Sequence, residues 1–229
     1  MRDKKAFTMV ELIIVIITLA ILATYSIPRI KRDTRSEAIN HILTMIRYTQ
    51  NLALHDDMHL KNNSNWQKRF WSFEIKKCAN STGLYYAIGT DNDMQGAIDK
   101  EESAIDPSNS KYTFWYGLKA CPKNTTDALS DEVSPNIFIT QKYGIKEVNF
   151  KNCAIYKDKK TTSSNKRIGF DNFGRYYKSY SSNSTPNNSG IGVGNCKIEF
   201  KFIDNSINPF TILVSKESGF AYLEENPNL

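Results

Sequence analysis

Residues 7–27 read FTMVELIIVIITLAILATYSI, and this apolar run decides how the rest of the chain is interpreted. Its 21 residues match the roughly 20 that cross a bilayer as a helix. A short basic leader with Arg2, Lys4 and Lys5 precedes the run, and Glu11 is its only charged side chain. An ionised group at membrane depth costs a few kcal/mol or more. The position of Glu11 therefore predicts a specific partner for it.

Three interpretations of this run compete. A secretory signal peptide needs an A-x-A cleavage site, and Ala20-Ile21-Leu22-Ala23 has the wrong spacing. A plain membrane anchor explains the length of the run but not the carboxylate of Glu11. The third interpretation rests on a resemblance of these residues to a known family, which implies a role for the carboxylate as well.

The run resembles the signal of type IV pilins, in which a dedicated prepilin peptidase cuts before F-T-(L/M)-(I/V)-E. Residues Phe7–Glu11 match that motif, and Ala6 stands where the family usually has Gly. The resemblance implies cleavage between Ala6 and Phe7, N-methylation of Phe7, and a single pass through the inner membrane with a periplasmic head. It also implies that Glu11 pairs with the amino terminus of a neighbouring pilin subunit as the filament assembles. The basic residues on both sides of the run would not by themselves have set this orientation.

An amphipathic helix is expected to continue the apolar run. Its apolar residues recur at three- and four-residue spacing, which predicts one buried face: Ala38, Ile39, Ile42, Leu43, Met45, Ile46, Thr49, Leu52 and Ala53. Pro28 is predicted to kink the helix without ending it. A helix from Phe7 to Asp57 would be about 75 Å long at about 1.5 Å per residue.

Beyond Asp57 the chain alternates aromatic and β-branched runs with Asn-, Ser-, Gly- and Pro-rich turns, which is typical of strands. The predicted strands are 70–76, 84–88, 112–118, 136–141, 146–150, 167–170, 175–178, 197–203 and 210–214 with 219–223. The predicted fold is α+β, with one long N-terminal helix packed on a mainly antiparallel sheet. The predicted parts are a leader at 1–6, a membrane or filament-core helix at 7–28, an amphipathic half at 29–57 and a β-rich head at 58–229.

Three later segments narrow the resemblance to the H-type minor pseudopilins of type II secretion and the FimT-type minor pilins. They are the helix segment Ser36–Leu54, the turn Ile168–Gly174 that matches (I/V)-x-F-(D/N)-x-x-G, and the closing strand and turn Thr211–Gly219. The implied function is a subunit of a secretion or type IV pilus-like filament.

Four cysteines lie in the part expected to be exported. An even number is compatible with two disulfides in an oxidising compartment, and four cysteines allow three pairings. We expect the sequential pairs Cys78–Cys121 and Cys153–Cys196 because each would close a local sheet segment. Reduced thiols are the alternative.

No catalytic motif is present, and no cofactor is expected to be required. Of the three histidines, His55 and His59 have the four-residue spacing of a helical metal pair, but no catalytic carboxylate motif accompanies them. We therefore expect His41, His55 and His59 to be surface residues, and the protein not to be an enzyme.

The acidic segment DNDMQGAIDKEE, residues 91–102, resembles a calcium-binding loop. Carboxylates stand at loop positions 1, 3, 9 and 12 with Gly at position 6, as in an EF-hand, and position 5 holds Gln instead of Asp or Asn. The candidate ligands are Asp91, Asp93, Gln95, Asp99 and Glu102. A strand rather than a helix is predicted before it. The two interpretations are a calcium site and an acidic, solvated loop.

Residues 140–201 carry twelve Lys or Arg against four Asp or Glu, within a chain of formal net charge +6. Basic residues interleaved with tyrosines suit a phosphate backbone with stacking on its bases. The candidate contacts are Lys157, Lys159, Lys160, Lys166, Arg167, Arg175 and Lys178. A DNA-binding minor pilin of a DNA-uptake pilus is therefore the alternative function, and a lysine-rich solvated face is the simpler explanation.

Overall fold

The structure of the protein is a computed structural model. It describes residues 8–26, 33–57, 64–79, 82–96, 98–116, 119–123, 131–153, 155–157, 164–177, 190–192 and 194–224. Contacts within the chain divide it into two compact units, Met1–Thr34 and Arg35–Leu229.

The first unit contains helix α1, Met9–Ser26. Its sequence has many apolar residues and no Gly or Pro, so little opposes helix formation. Thr8 precedes the helix and Glu11 lies in its first turn. A search of the described residues finds no helix with the length and apolar character of a membrane span. Ala6, Phe7 and Pro28, to which cleavage, methylation and a kink were assigned, lie outside the described residues.

The second unit opens with helix α2, Thr34–His55, which confirms the predicted amphipathic segment. The buried side chains fall on the predicted face: Ala38, Ile39, Ile42, Met45, Ile46, Thr49, Gln50 and Ala53. Gln50 is the one member that the apolar pattern did not include. Helices α1 and α2 are separate in the described residues, so a single long helix is not part of the observed fold.

The described residues of the second unit contain eleven strands. They are β1 Trp71–Lys77, β2 Leu84–Gly89, β3 Ile105–Asp106, β4 Lys111–Tyr112, β5 Ile145–Lys151, β6 Ile155–Lys157, β7 Ser164–Phe170, β8 Tyr176–Tyr177, β9 Cys196–Phe202, β10 Phe210–Val214 and β11 Ala221–Leu223. One sheet has the order β2-β1-β7-β6, with β8 also paired to β7. A second sheet has the order β11-β10-β9-β5, and β3 pairs with β4. Every one of these strand pairs is antiparallel, so the α+β class and the antiparallel pairing are confirmed.

Two predicted strands are corrected. Residues 136–141 fall instead in a 3-10 helix, Pro135–Ile137, and in helix α3, Ile139–Tyr143. Ser134 begins this segment, since its side chain accepts a hydrogen bond from the Asn136 N–H, and Pro is favoured in a first helical turn. Gly144 ends α3 with a positive φ of 69°, as glycine does at many helix ends.

The second corrected strand is 112–118. Among the described residues 112–116 of this range, Tyr112 alone lies in a strand, at the end of the two-residue β4, and residues 113–116 are irregular. The Thr113 hydroxyl donates hydrogen bonds to the carbonyls of Ile88 and Ala104. These bonds hold the irregular segment beside β2 without a regular ladder.

The core joins α2 to both main sheets. Ile42 and Ile46 of α2 are fully buried in the same cluster as Phe73 of β1, Ile168 of β7 and Phe200 of β9. Burying such a side chain contributes about 1.5–3 kcal/mol. The amphipathic half of the predicted helix is therefore a structural part of the head.

Two disulfides close the head, Cys78–Cys121 and Cys153–Cys196, which are the pairs that the sequence predicts. Each links residues 43 apart in the sequence. Closing a loop of that length restricts the unfolded chain by about 4 kcal/mol in the chain-entropy account.

Candidate functional sites

Glu11, the carboxylate expected to direct assembly, caps its own helix in this structure. Its Oε2 accepts hydrogen bonds of 2.9 Å from both the backbone N–H and the hydroxyl of Thr8. The Glu11 N–H in turn donates to the Thr8 hydroxyl over 3.3 Å. This reciprocal arrangement is a capping box, and its T-x-x-E spacing is a known sequence signal. This local role of Glu11 was not among the roles predicted from the sequence.

The rest of α1 presents apolar side chains to the surroundings. Large apolar side chains along the helix are between 44 % exposed, at Val15, and 81 % exposed, at Met9. They lie all round the helix rather than on one face, because nearly every residue from Leu12 to Leu22 is apolar. A helix that is apolar all round is normally buried in a protein core or in a membrane.

The acidic segment forms a compact loop between β2 and a short 3-10 helix, Lys100–Glu102. Carboxylate oxygens of Asp91, Asp93 and Glu102 lie within 4.8 Å of one another. Asp99, which the calcium-loop spacing also selected, is not part of this group of carboxylates.

Gln95, the remaining predicted ligand, is exposed. Its backbone N–H donates to Asp93 Oδ1 over 3.0 Å. Met94 and Gly96 have positive φ values of 62° and 96° and so fold the loop back on itself. Three of the five predicted oxygen ligands therefore converge, and neither EF-hand helix is present, since the loop joins a strand to one turn of 3-10 helix.

Asp91 is the buried member of this cluster, with only 2 % of its surface exposed. Its Oδ2 accepts a hydrogen bond of 2.8 Å from the Gly96 N–H. Its Oδ1 is buried and has no hydrogen-bond partner within the described part of the chain. Burial, together with the neighbouring Asp93 carboxyl, raises the pKa of Asp91 to about 6. An unsolvated carboxylate oxygen is costly, and the charge of Arg167 offsets only part of that cost, because the pKa of Asp91 stays raised.

Arg167 connects the acidic loop to a buried ion network. Its Nε lies 2.6 Å from Glu74 Oε1, and Lys76 Nζ lies 2.6 Å from Glu74 Oε2. The Arg167 side chain is 2 % exposed and that of Glu74 is fully buried. Arg167 also donates to the carbonyl of Gly96 in the loop, over 3.2 Å. The prediction that Arg167 belongs to a DNA-binding surface is therefore wrong for the folded head, because its charge is buried against Glu74.

The other predicted DNA contacts are mixed. Lys166 is half-buried and donates to the carbonyl of Val148, and burial lowers the pKa of its ammonium group. Arg175 forms a two-nitrogen contact with Asp171, at 2.9 and 2.8 Å. Lys157 lies in β6, whereas Lys159, Lys160 and Lys178 lie outside the described residues.

The histidine expectation is corrected at His41. This residue is half-buried against the rings of Tyr86 and Tyr143, and its Nε2 lies 2.9 Å from the Tyr86 hydroxyl. Burial and the charge of Lys142 lower the pKa of His41 to about 4, so it is neutral at pH 7. His55 is exposed, as predicted. His59 lies outside the described residues.

Gln50 joins two turns that carry the later family-like motifs. Its side-chain N–H groups donate to the carbonyls of Gly174, over 2.9 Å, and Ser218, over 2.7 Å. Gly174 and Gly219 both have positive φ, and a Cβ on Gly219 would lie 1.8 Å from the Gly174 oxygen. Two segments of the narrower resemblance thus meet at the third, α2. The buried amide had no signal in the sequence, since glutamine is usually exposed.

Comparisons of the chain with protein-family models, with curated proteins and with solved structures give no match.

Proposed function

We propose that this protein is a minor pilin or pseudopilin, a subunit of a type II secretion or type IV pilus-like filament. In this proposal a prepilin peptidase cuts between Ala6 and Phe7, and Phe7 becomes the methylated amino terminus. Residues 7–28 anchor the chain in the inner membrane, with the head in the periplasm, until assembly moves this segment into the filament core. The proposal assigns no catalytic residue.

The observation that carries the proposal is α1, an apolar helix whose one charged side chain, Glu11, lies at its first turn. Exposed apolar patches larger than a few hundred Å² mark contact with protein or lipid. Lipid and a bundle of similar helices both meet that requirement, and a filament subunit passes from the first to the second. Two disulfides in the head support an oxidising compartment.

The proposed anchor extends beyond α1 at both ends, through Phe7 and Pro28. In this proposal Pro28 marks the end of the anchor segment. The packing of α2 in the core of the head supports a division of the chain into an anchor at 7–28 and a head that includes α2.

Glu11 has two roles that an experiment can separate. In the filament, we propose that its carboxylate pairs with the amino terminus at Phe7 of the neighbouring subunit, since unpaired charges in a low-dielectric core are strongly disfavoured. As a cap it only accepts hydrogen bonds from Thr8. A Gln side chain retains an acceptor for the cap but carries no charge.

The decisive test compares Glu11→Gln and Glu11→Ala in cells that assemble the filament. The pairing role predicts that both variants reach the membrane fraction and that both fail to enter sheared filaments. Normal incorporation of Glu11→Gln would show that capping alone is needed and would contradict the proposed pairing. Thr18→Val is the control, because among the described residues the Thr18 hydroxyl contacts the carbonyls of Ile14 and Val15 in its own helix, and this variant should assemble normally.

Processing is tested by the mass of the mature chain. The expected product begins at Phe7 and carries one methyl group on its amino nitrogen. A chain that keeps residues 1–6 in cells with an active prepilin peptidase would contradict the proposal.

A further inference from the structure

The acidic loop groups three carboxylates, one of which is buried. Asp91, Asp93 and Glu102 bring three carboxylates together with oxygens within 4.8 Å of one another. Independently of that cluster, Asp91 is 2 % exposed and its buried Oδ1 has no hydrogen-bond partner in the described residues. Arg167, a nearby cation, contacts the buried Glu74, which Lys76 also contacts, and donates to the Gly96 carbonyl.

Backbone amides hold all three carboxylates in place. The N–H of Gly96 donates to Asp91 and that of Gln95 to Asp93. Glu102 accepts from the N–H of Asp93 over 3.0 Å and from that of Asp99 over 3.1 Å. A carboxylate has about four lone-pair positions, so each group keeps acceptor capacity after these bonds. The ligands are thus oriented before any ion arrives.

The donor chemistry selects the class of ion. Carboxylate oxygens suit hard cations such as Ca²⁺ and Mg²⁺, whereas zinc sites are mostly built from Cys and His. Two oxygens that share a Ca²⁺ at 2.3–2.6 Å lie at most about 5 Å apart, and two that share a Mg²⁺ lie at most about 4 Å apart. The three oxygens lie within 4.8 Å of one another, which meets the Ca²⁺ limit but does not by itself separate the two ions. The irregular loop favours Ca²⁺, because Ca²⁺ tolerates flexible geometry better than Mg²⁺ does.

We propose that Asp91, Asp93 and Glu102 bind one Ca²⁺, with water completing its coordination. The site differs from the EF-hand set that the sequence spacing suggested, because the exposed side chains of Gln95 and Asp99 are not ligands. This inference goes beyond the proposed filament function and does not depend on it.

The bound ion would fasten the loop to the edge of a sheet. The Thr90 N–H donates to the carbonyl of Glu102 over 3.1 Å, and Gly89 forms a bridge with Ser103. These contacts place both ends of the loop beside β2, which is an edge strand. An ion held by residues from both ends would close the loop, and its binding would stabilise the folded head over the unfolded chain.

The test uses the full chain in mild detergent, stripped of metal with EGTA and then titrated with CaCl₂ at pH 7.5. Isothermal titration calorimetry should show one saturable site, and 10 mM Ca²⁺ should raise Tm by roughly 3–7 °C for a sub-millimolar Kd. Excess EGTA should reverse the shift. No heat and no change in Tm at 10 mM Ca²⁺, or an equal effect of Mg²⁺ at matched ionic strength, would overturn the assignment.

Charge-matched variants locate the site. Asp91→Asn and Asp93→Asn should each weaken Ca²⁺ binding at least tenfold. Asp99→Asn removes the same charge from the same loop and should bind like the wild type. Equal weakening by Asp99→Asn would indicate general charge attraction and would refute the three-ligand site.

Proteolysis gives a readout for variants with altered Tm. Endoproteinase Lys-C cleaves after lysine, and Lys100 lies in the 3-10 helix that ends the loop. Ca²⁺ should slow cleavage after Lys100 severalfold in the wild type and in Asp99→Asn, but not in Asp91→Asn. Cleavage at an unchanged rate in the wild type would count against closure of the loop by the ion.

Discussion

Asp91 and Asp106 are buried aspartates near the two ends of one segment, and their surroundings are opposite. Asp106 is fully buried, and both of its oxygens are occupied: Oδ1 accepts from the N–H and hydroxyl of Ser108, and Oδ2 accepts from Ser134, Asn136 and Asn109. Burial raises the pKa of Asp106, but hydrogen bonds from Ser134, Ser108 and Asn136 lower it by more. The pKa of Asp106 therefore lies below its usual range.

Asp91 accepts one backbone N–H on Oδ2, and its pKa is raised to about 6 by burial and by Asp93. Burial is therefore not what distinguishes a structural carboxylate from a ligand. The distinction is whether the protein supplies enough donors to satisfy the charge. Asp106 is satisfied by the protein itself, whereas Oδ1 of Asp91 has no donor among the described residues, and in our proposal a cation completes it.

The largest effect is expected at Arg167, which contacts the loop that carries Asp91 through the Gly96 carbonyl. Arg167→Leu leaves Glu74 buried beside Lys76 alone and removes the donor to the Gly96 carbonyl. Breaking a buried ion pair in this way costs about 3–5 kcal/mol. Urea unfolding should therefore show a large loss in the free energy of unfolding.

The control for this variant is Arg175→Leu, since Arg175 is a partly exposed cation whose partner is Asp171. A loss of no more than about 1 kcal/mol is expected there. If the two variants lost equal stability, the buried network would not be the structural element described here.

Asp106→Ala is expected to have the next largest effect. It leaves the donors of Ser108, Ser134 and Asn136 without their shared acceptor, at a cost of about 2–4 kcal/mol. Because no ion is involved, the loss should be the same in Ca²⁺ and in EGTA. A loss that depended on Ca²⁺ would remove the distinction drawn between Asp106 and Asp91.

The smallest expected effect is a change in how the free energy of unfolding of the metal-free protein depends on pH, and it comes from Asp91. The folded pKa of Asp91 is raised to about 6, so the folded state binds a proton that the unfolded state releases near pH 4. The contribution of Asp91 to stability therefore falls as pH rises through that window. Asp91→Asn should gain stability relative to the wild type from pH 4 to pH 6, with little further change above pH 6.

Asp106 should behave with the opposite sign. Its folded pKa is lowered, so its contribution is fully present above the unfolded pKa near 4 and is lost as pH falls through the folded pKa. Asp106→Asn should unfold with a lower free energy than the wild type at neutral pH, and this difference should become smaller as the pH falls. Parallel profiles for the two Asp→Asn variants would contradict the assigned environments.

Several features of the fold were predictable because they depend on local pattern. Alternating or continuous apolar runs located β1, β2, β5, β9 and β10 to within one or two residues. The strand predicted at 136–141 was wrong, although Ser134, Pro135 and Gly144 carried the start and stop signals of helical segments. There the β-branched and aromatic residues were given more weight than the caps.

The candidate sites were predicted less well, because they depend on residues distant in sequence. Loop spacing found Asp91, Asp93 and Glu102 but also selected Asp99, whose carboxylate does not join the cluster. Regional charge selected Arg167 for a surface, but its partner Glu74 belongs to a different strand, β1. The capping box of Glu11 was visible in T-x-x-E and was missed because the resemblance offered another role.

The sequence by itself determined the apolar helix with one acid, the phase of α2 and most of the strands, since each follows from the periodicity of neighbouring side chains. Only the tertiary structure decided which charges are buried and which of them are satisfied. The reason is that compensation acts over a few ångströms in space between residues far apart in the chain, such as Gly96 and Arg167, which are separated by 71 residues. A local pattern indicates that a charged side chain needs a partner. Only the fold decides whether a protein group lies close enough to be that partner.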